Sequence, residues 1–561
     1  MNKIIFILFI ASCNPSFGQS HYPQNDFRNP LEFPMVLAGT FGELRTNHFH
    51  SGIDIKTKGK IGQLVHTAME GYVSRIKISL WGYGKAIYIN HPNGYTTVYA
   101  HLDKFNDKIE NYLKKKQYEK ESFEIQLFPN KDELTIEQNE IIALSGNSGG
   151  SSAPHLHFEI RDSQTEKTIN PLLFGLKVPD DISPTFKGLR MVPFGKEAAI
   201  NKIPVAQDIQ TKKINKHLYV ADRVEAIGKI GIQINTYDLL NNTPNKNGVY
   251  SIDMSVNGVT VYHHDLETFA FDESKYINLL IDYEHFAKYH NKYQKTYIEQ
   301  PNRLSIYQTD ENKGFIFIND QEDYHVEITI RDIAKNTTTI KIPITGNKVI
   351  TPIIKENKRT PYFVDQNKYT VFKQGKSEIR FPKHTFFENV YIQYQYLNNK
   401  ITVHQPKIPL NKNYTLTYFT DSLTTTQKKQ IYFARKNKNT YNYINTNKKE
   451  NKIYTNTKLL GDFYLKYDSI SPVIYHPSFY ENQNIRKHKT LSIFIKDNES
   501  AVKNYYATID DRWVLMEYEP KKNKLSFDLS DLAVHKKNHV FKLKVQDVLG
   551  NTKTFVSKFF K

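Results

Sequence analysis

Residues 149–162, GGSSAPHLHFEIRD, alternate so that His155, His157 and Glu159 share one face of a strand while Leu156, Phe158 and Ile160 share the other. With 20 His in 561 residues, about one such pair is expected by chance, so the pair gains meaning only from partners elsewhere. One partner is HFHSGIDIKT, residues 48–57, with a second His-x-His pair and the carboxylate of Asp54. His50 and Asp54 lie four residues apart, about 13 Å in a straight strand, so sharing a metal requires a bend. Ser51-Gly52 offers one, because Gly accepts the backbone angles of a sharp turn. A catalytic zinc takes three protein ligands and leaves one position open. His50, Asp54 and one member of the His155/His157 pair meet that count, and the spare imidazole falls on the same face, near the open position. His101, in YAHL, is a fourth imidazole at the end of another strand.

The elements that must position these residues read as short strands. From residue 33 to 162 the chain is dense in Gly turns and apolar segments, GYVSRIKI, KAIYINH, YTTVYAHL and HLHFEI, spaced like an antiparallel sheet. Residues 82–85 and 91–95 supply hairpin-type turns. A charged insertion, about residues 103–139, carries a helix over 109–120 and then a strand, and is expected to interrupt the sheet without extending its core. Beyond PDDISP the strands lengthen, and a small signature recurs: DIAKN (332–336) follows HVEITIR, and DVLGN (547–551) follows FKLKVQ. Asp and Asn flank a tight turn in both, where their side chains can bond local backbone groups. This resembles the end of immunoglobulin-like modules and implies sandwiches over 179–347 and 456–561. Between them, 348–455 reads as a basic β-rich module and linker, with ARKNKNTYNYINTNKKENK as a linker or long exposed loop.

The order HSGID, GYGKAIYINHPNGYTTVYAHL, SGNSGGSSAPHLHFEI resembles the lysostaphin-type, LytM-like zinc metallopeptidases that cut peptidoglycan. The resemblance covers about residues 40–165. It implies an antiparallel-sheet zinc peptidase domain over 19–178, Zn2+ held by His50, Asp54 and His157, and His101 and His155 as the catalytic imidazoles. The residues alone leave His155 and His157 interchangeable as ligands; the resemblance selects His157. The chemistry it implies is attack on an amide by a water whose pKa zinc lowers to about 7, with the two imidazoles orienting water, stabilising the oxyanion and passing a proton to the leaving amine. Ser148 and Ala153 stand where Thr and Gly are usual, and neither change removes a ligand. His48 and the YHHD segment at 262–265 read as structural, His66 and His91 as structural rather than as supports of the site, and Glu159 equally as a hydrogen-bonding partner near the site or as a surface carboxylate. The expected fold is therefore mainly β, a zinc peptidase sheet followed by β-sandwich modules.

Composition bounds the rest. The segment MNKIIFILFIASCNPSFGQS reads as a secretory signal cut after Gly18, although IASC also resembles a lipobox, which would anchor the chain through Cys13. Cys13 is the sole cysteine, so disulfides and thiol catalysis are excluded in the folded body. No later apolar run is long enough to cross a bilayer as a helix. The formal net charge is +18, and residues 351–450 hold 18 Lys and Arg against 6 Asp and Glu. For an exported protein of the periplasm or cell envelope, the partners of such a surface are peptidoglycan and anionic envelope polymers rather than nucleic acid. The leading reading is a zinc metalloendopeptidase. The alternatives are a non-catalytic peptidase-fold regulator of another wall hydrolase, and an adhesion scaffold with a vestigial peptidase; the full set of five site residues favours the enzyme.

Overall fold

The computed structural model describes residues 22–351, 359–532 and 537–561, so the expected signal and Cys13 lie outside the described residues. Among the described residues no helix is long and apolar enough to cross a membrane. The first sheet is built from β1 (Leu37–Gly39), β2 (Ile53–Lys56), β3 (Gly71–Ile78), β4 (Lys85–Asn90), β5 (Tyr95–Phe105), β6 (Ile125–Leu127), β7 (Ile141–Ser145) and β8 (His155–Asp162), with one helix, α1 (Asp107–Lys120), between β5 and β6. Its antiparallel path runs β1-β2-β8-β5-β4-β3. β8 is central, paired on both edges, which explains why it is buried on both faces. Leu156, Phe158 and Ile160 enter the hydrophobic core with Ile53, Ile55 and Tyr99. The opposite face carries the polar site.

The insertion does not behave as its charge suggests. Asn106 caps α1 by accepting a hydrogen bond from the Ile109 backbone N–H, and Asp107 and Glu110 sit in the first turn, where the helix dipole favours them. Ile109 and Leu113 of α1, with Ile125, Leu127, Leu134 and Ile136, are buried in the same core as β8. β6 pairs with β3, Leu127 opposite Ile76, so the insertion extends both core and sheet. Most of the charges lie on the outer face of an amphipathic segment, while Glu110 is buried and accepts from the Phe105 N–H at 3.1 Å.

Three further β-sheet modules follow. The second rests on two 16-residue strands, Thr185–Ile200 and Val224–Leu239, paired antiparallel within one 13-stranded sheet. The third packs two five-stranded sheets over a shared core that includes Ile379, Phe381, Ile401 and Phe463. The fourth packs a four-stranded sheet on a five-stranded one around Ile493, Phe527, Phe541 and Val545. The Asn- and Lys-rich stretch is not a linker: it forms Ile431–Asn437, Thr440–Ile444, Asn447–Lys449 and Lys452–Thr457. Lys448 and Lys449 lie on the edge strand Asn447–Lys449, where charge discourages pairing with other chains, while Phe433 and Ile453 face the core.

Candidate metal centre

Sheet register brings two of the polar residues together: His157 of β8 stands directly opposite Asp54 of β2. His157 Nδ1 is 2.9 Å from Asp54 Oδ1 and 3.0 Å from His50 Nε2, and His50 Nε2 is 3.0 Å from the same carboxylate oxygen. His50 reaches this point because the chain turns at Ser51-Gly52, but the need for glycine is not the one the sequence suggests. A Cβ on Gly52 would lie 2.3 Å from the Phe158 carbonyl oxygen, so only glycine lets this backbone lie against β8.

Each ring is held in the orientation a metal requires. His50 Nδ1 donates to the Thr40 carbonyl at 2.7 Å, freeing Nε2. His157 Nε2 donates to Glu159 Oε1 at 2.8 Å, freeing Nδ1. Such bonds fix tautomer and ring angle and raise ligand basicity. Glu159, fully buried, also accepts from Ser51 Oγ at 2.6 Å, from the Tyr83 hydroxyl, and from Arg161 Nε at 2.6 Å. Asp54 Oδ2 accepts from Arg45 Nη2 at 2.6 Å. Burial pushes both carboxyls up, yet the imidazoles around Asp54, and Arg161 and His157 around Glu159, hold them below the ordinary carboxylate range. Burial opposes a charge on His157, but hydrogen bonds to Asp54 and Glu159 raise it to about 9. Two imidazole nitrogens and one carboxylate oxygen, converging with the remaining ring nitrogens satisfied, fit a zinc-type ion.

The two other imidazoles border this triad. His155 donates from Nδ1 to the Ala153 carbonyl at 2.9 Å and places Nε2 3.4 Å from Asp54 Oδ1. His101 donates from Nδ1 to the Ser148 carbonyl at 2.9 Å, and its ring centroid lies 4.8 Å from that of His155. Burial, then the neighbouring imidazoles, push His101 down to about 3. His101 sits within β5 at φ 59°, the left-handed region, where the register with β4 shifts. Such a bulge re-aims a side chain at a cost of roughly 1–3 kcal/mol in local strain. Ser148 fills the place where Thr is usual by donating to the Leu102 carbonyl at 2.7 Å and accepting from the Lys85 N–H at 3.0 Å.

Arg45 and Tyr83 escaped the sequence reading, since neither sits in a ligand-like spacing; the glycines flanking Tyr83 were the available signal. Also unforeseen is the fourth module at the rim. Lys521 donates to the carbonyl oxygens of Asn147 and Ser151, the latter at 2.8 Å, and Glu517 pairs with Lys85 at 2.9 Å. The same module meets α1 through Lys114–Asp531 and an edge contact of Tyr118 with Trp513. His66 and His91 hold loops, His66 through the Asn139 carbonyl and Glu32, His91 through the Glu70 carbonyl and Thr97. His48 bonds only the Thr46 carbonyl, and His263 and His264 bond their own sheet neighbours.

The sequence model of peptidase family M23 matches residues 48–118, and that of the Zu5-like domain matches residues 361–468. The architecture is thus an M23-like peptidase sheet followed by further β-sheet modules, and His50, Asp54 and His157 form an M23-type metal triad. The chain is 29% identical over 137 residues to the DD-carboxypeptidase/endopeptidase Mpg of Neisseria meningitidis serogroup B, which covers 24% of this chain and 25% of that protein. It is 30% identical over 123 residues to an uncharacterized metalloprotease of Haemophilus influenzae, 22% of this chain and 20% of that one. The chain thus spans a quarter or less of the length of these relatives. Among solved structures it is similar to the catalytic domain of the antimicrobial peptidase lysostaphin from Staphylococcus simulans, with 22% identity over 25% of this chain and 90% of that one and a TM-score of 0.19. A zinc-containing peptidase from Vibrio cholerae gives 22% identity over 28% of this chain and 41% of that one, with a TM-score of 0.20.

Proposed function

We propose that the protein is an exported zinc metalloendopeptidase that hydrolyses peptide cross-links of bacterial peptidoglycan in the periplasm or cell envelope. The observation that carries this reading is the completeness of the site: three converging donors, each imidazole ligand oriented by its own acceptor, and two further imidazoles beside them. When bound, zinc would supply Lewis acidity toward a scissile carbonyl and toward water. The rest is this chain's own work. Because His155 and His101 both donate from Nδ1 to a carbonyl, Nε2 is the nitrogen each ring would use to exchange a proton. That nitrogen accepts a proton from water; once protonated it donates, to the developing oxyanion or to the leaving amine. The Neisseria relative's name, DD-carboxypeptidase/endopeptidase, supports a peptidase reading. The basic surface of the third module suits anionic envelope polymers.

Mass spectrometry of purified sacculi digested with the zinc-loaded protein tests this. New amino termini at cross-links are expected, and His155→Ala should lower their release by about 10²–10⁴-fold while zinc content stays stoichiometric. Intact sacculi after digestion would favour a regulator of another hydrolase.

A further inference from the structure

We infer that the second and fourth modules each bind a hard divalent cation of the calcium class, held by Asp180, Asp238 and Asp332 in the former and by Asp468, Asp497 and Asp547 in the latter. In each triple, one carboxylate oxygen per residue lies within 4.8 Å of the others. Four of the six carboxylates are buried, and Asp180 and Asp497 are half-buried. Asp238 and Asp332 are each 2% exposed, Asp468 1% and Asp547 0%.

Unpartnered oxygens point into both clusters. Asp238 Oδ1, Asp180 Oδ2 and Asp468 Oδ2 are buried with no hydrogen-bond donor. A carboxylate oxygen left so is costly, and its presence in an otherwise bonded structure calls for a partner. Among the described residues no Lys or Arg forms an ion pair with any of the six carboxylates. Lys448 is in electrostatic reach of Asp547, but its ammonium is bonded to the carbonyls of Lys428, at 3.1 Å, and Lys429.

The arrangement is built twice from separate stretches of chain. Asp180 Oδ1 accepts from the Ile182 N–H at 3.1 Å, and Asp468 Oδ1 from the Ile470 N–H at 2.9 Å. Asp332 accepts from the Asn336 N–H at 2.9 Å and side-chain amide at 2.8 Å; Asp547 accepts from the Asn551 N–H at 2.9 Å and amide at 2.7 Å. Each Asn amide also reaches back to the carbonyl of the first Asp, 3.2 Å to Asp180 and 3.5 Å to Asp468. In both modules Oδ2 of that first Asp is left over, and in the second module Asp238 Oδ1 as well. A purely local turn needs only the Asp-Asn pair; convergence of two further carboxylates from other segments of the chain is what a cation explains. The donors are all oxygen, which selects calcium over zinc.

Equilibrium dialysis of zinc-loaded, full-length protein against calcium at about 1 mM, the range of weak extracellular modules, should give two calcium ions per chain. Asp238→Asn and Asp497→Asn should each leave one, and the double variant none, with zinc content unchanged. Terbium luminescence of the unmodified protein adds a readout free of folding effects: Tyr237 and Tyr467 precede cluster aspartates and should sensitise bound terbium that calcium displaces. Uptake of fewer than two ions, retention of both in a folded double variant, or terbium emission insensitive to calcium would overturn the assignment.

Discussion

The His50–Asp54–His157 site and the two aspartate triples are all buried polar clusters in β-sheets, yet they handle charge in opposite ways. At the first, every polar atom not facing its neighbours has a dedicated partner: Thr40 for His50, Glu159 for His157, Arg45 for Asp54, and Arg161 behind Glu159. At the others, hydrogen bonds satisfy only the turn, and the remaining oxygens face each other. A site that must hold a reactive ion in one geometry requires outer partners that fix each ligand. A site whose ion only joins strands can leave oxygens loose, because calcium tolerates variable ligand number and geometry.

The comparison breaks most visibly at the ligands. Asp54→Ala or His157→Ala should remove zinc and lower peptide hydrolysis by more than about 10³-fold, because one of three protein donors is lost. Calcium uptake by the same proteins should be unaffected. Elemental analysis with a peptide assay checks both, and full zinc in either variant would show that other residues hold the metal.

A smaller effect is expected one step outward. Glu159→Gln keeps the shape but weakens the acceptor for His157 Nε2–H and leaves Arg161 without its carboxylate, so zinc affinity should fall by about 10–100-fold. Competition with a chromophoric chelator measures it. An unchanged affinity would mean that sheet register alone orients His157.

How much of this was legible in the sequence follows from where each signal sits. The triad was readable because its ligands occupy two short motifs, and alternation placed His157 and Glu159 on one face of β8. The choice between His155 and His157 was not readable from spacing, because it depends on which residue stands opposite Asp54 across the sheet. The left-handed backbone at His101 lies within an apparently regular strand pattern and left no compositional trace. The insertion and the Asn- and Lys-rich stretch were misjudged for one reason: average charge hid the apolar alternation of Ile109, Leu113, Phe433 and Ile453. The DIAKN and DVLGN turns were visible as local Asx geometry, but Asp238 and Asp497, which turn them into clusters, come from distant parts of the chain.

The two regions also touch, and that contact gives the smallest expected effect. Lys521, in the fourth module, donates to the Ser151 carbonyl at 2.8 Å, while Ser151 Oγ lies 3.1 Å from His155 Nδ1. Lys521 is therefore one residue removed from the His155 imidazole, and it also pins the loop through Asn147. One such bond at a partly exposed site contributes about 0.5–1.5 kcal/mol, which corresponds to roughly a two- to tenfold change in rate if the loop must be ordered for turnover. Lys521→Ala should thus lower cleavage of a small peptide by that factor with zinc retained. If the module instead serves to crowd the groove, the same substitution should raise cleavage of cross-linked sacculi relative to the peptide. A comparison of the two substrates separates loop ordering from steric restriction, and equal rates for variant and parent on both would leave the fourth module with no influence on the peptidase centre.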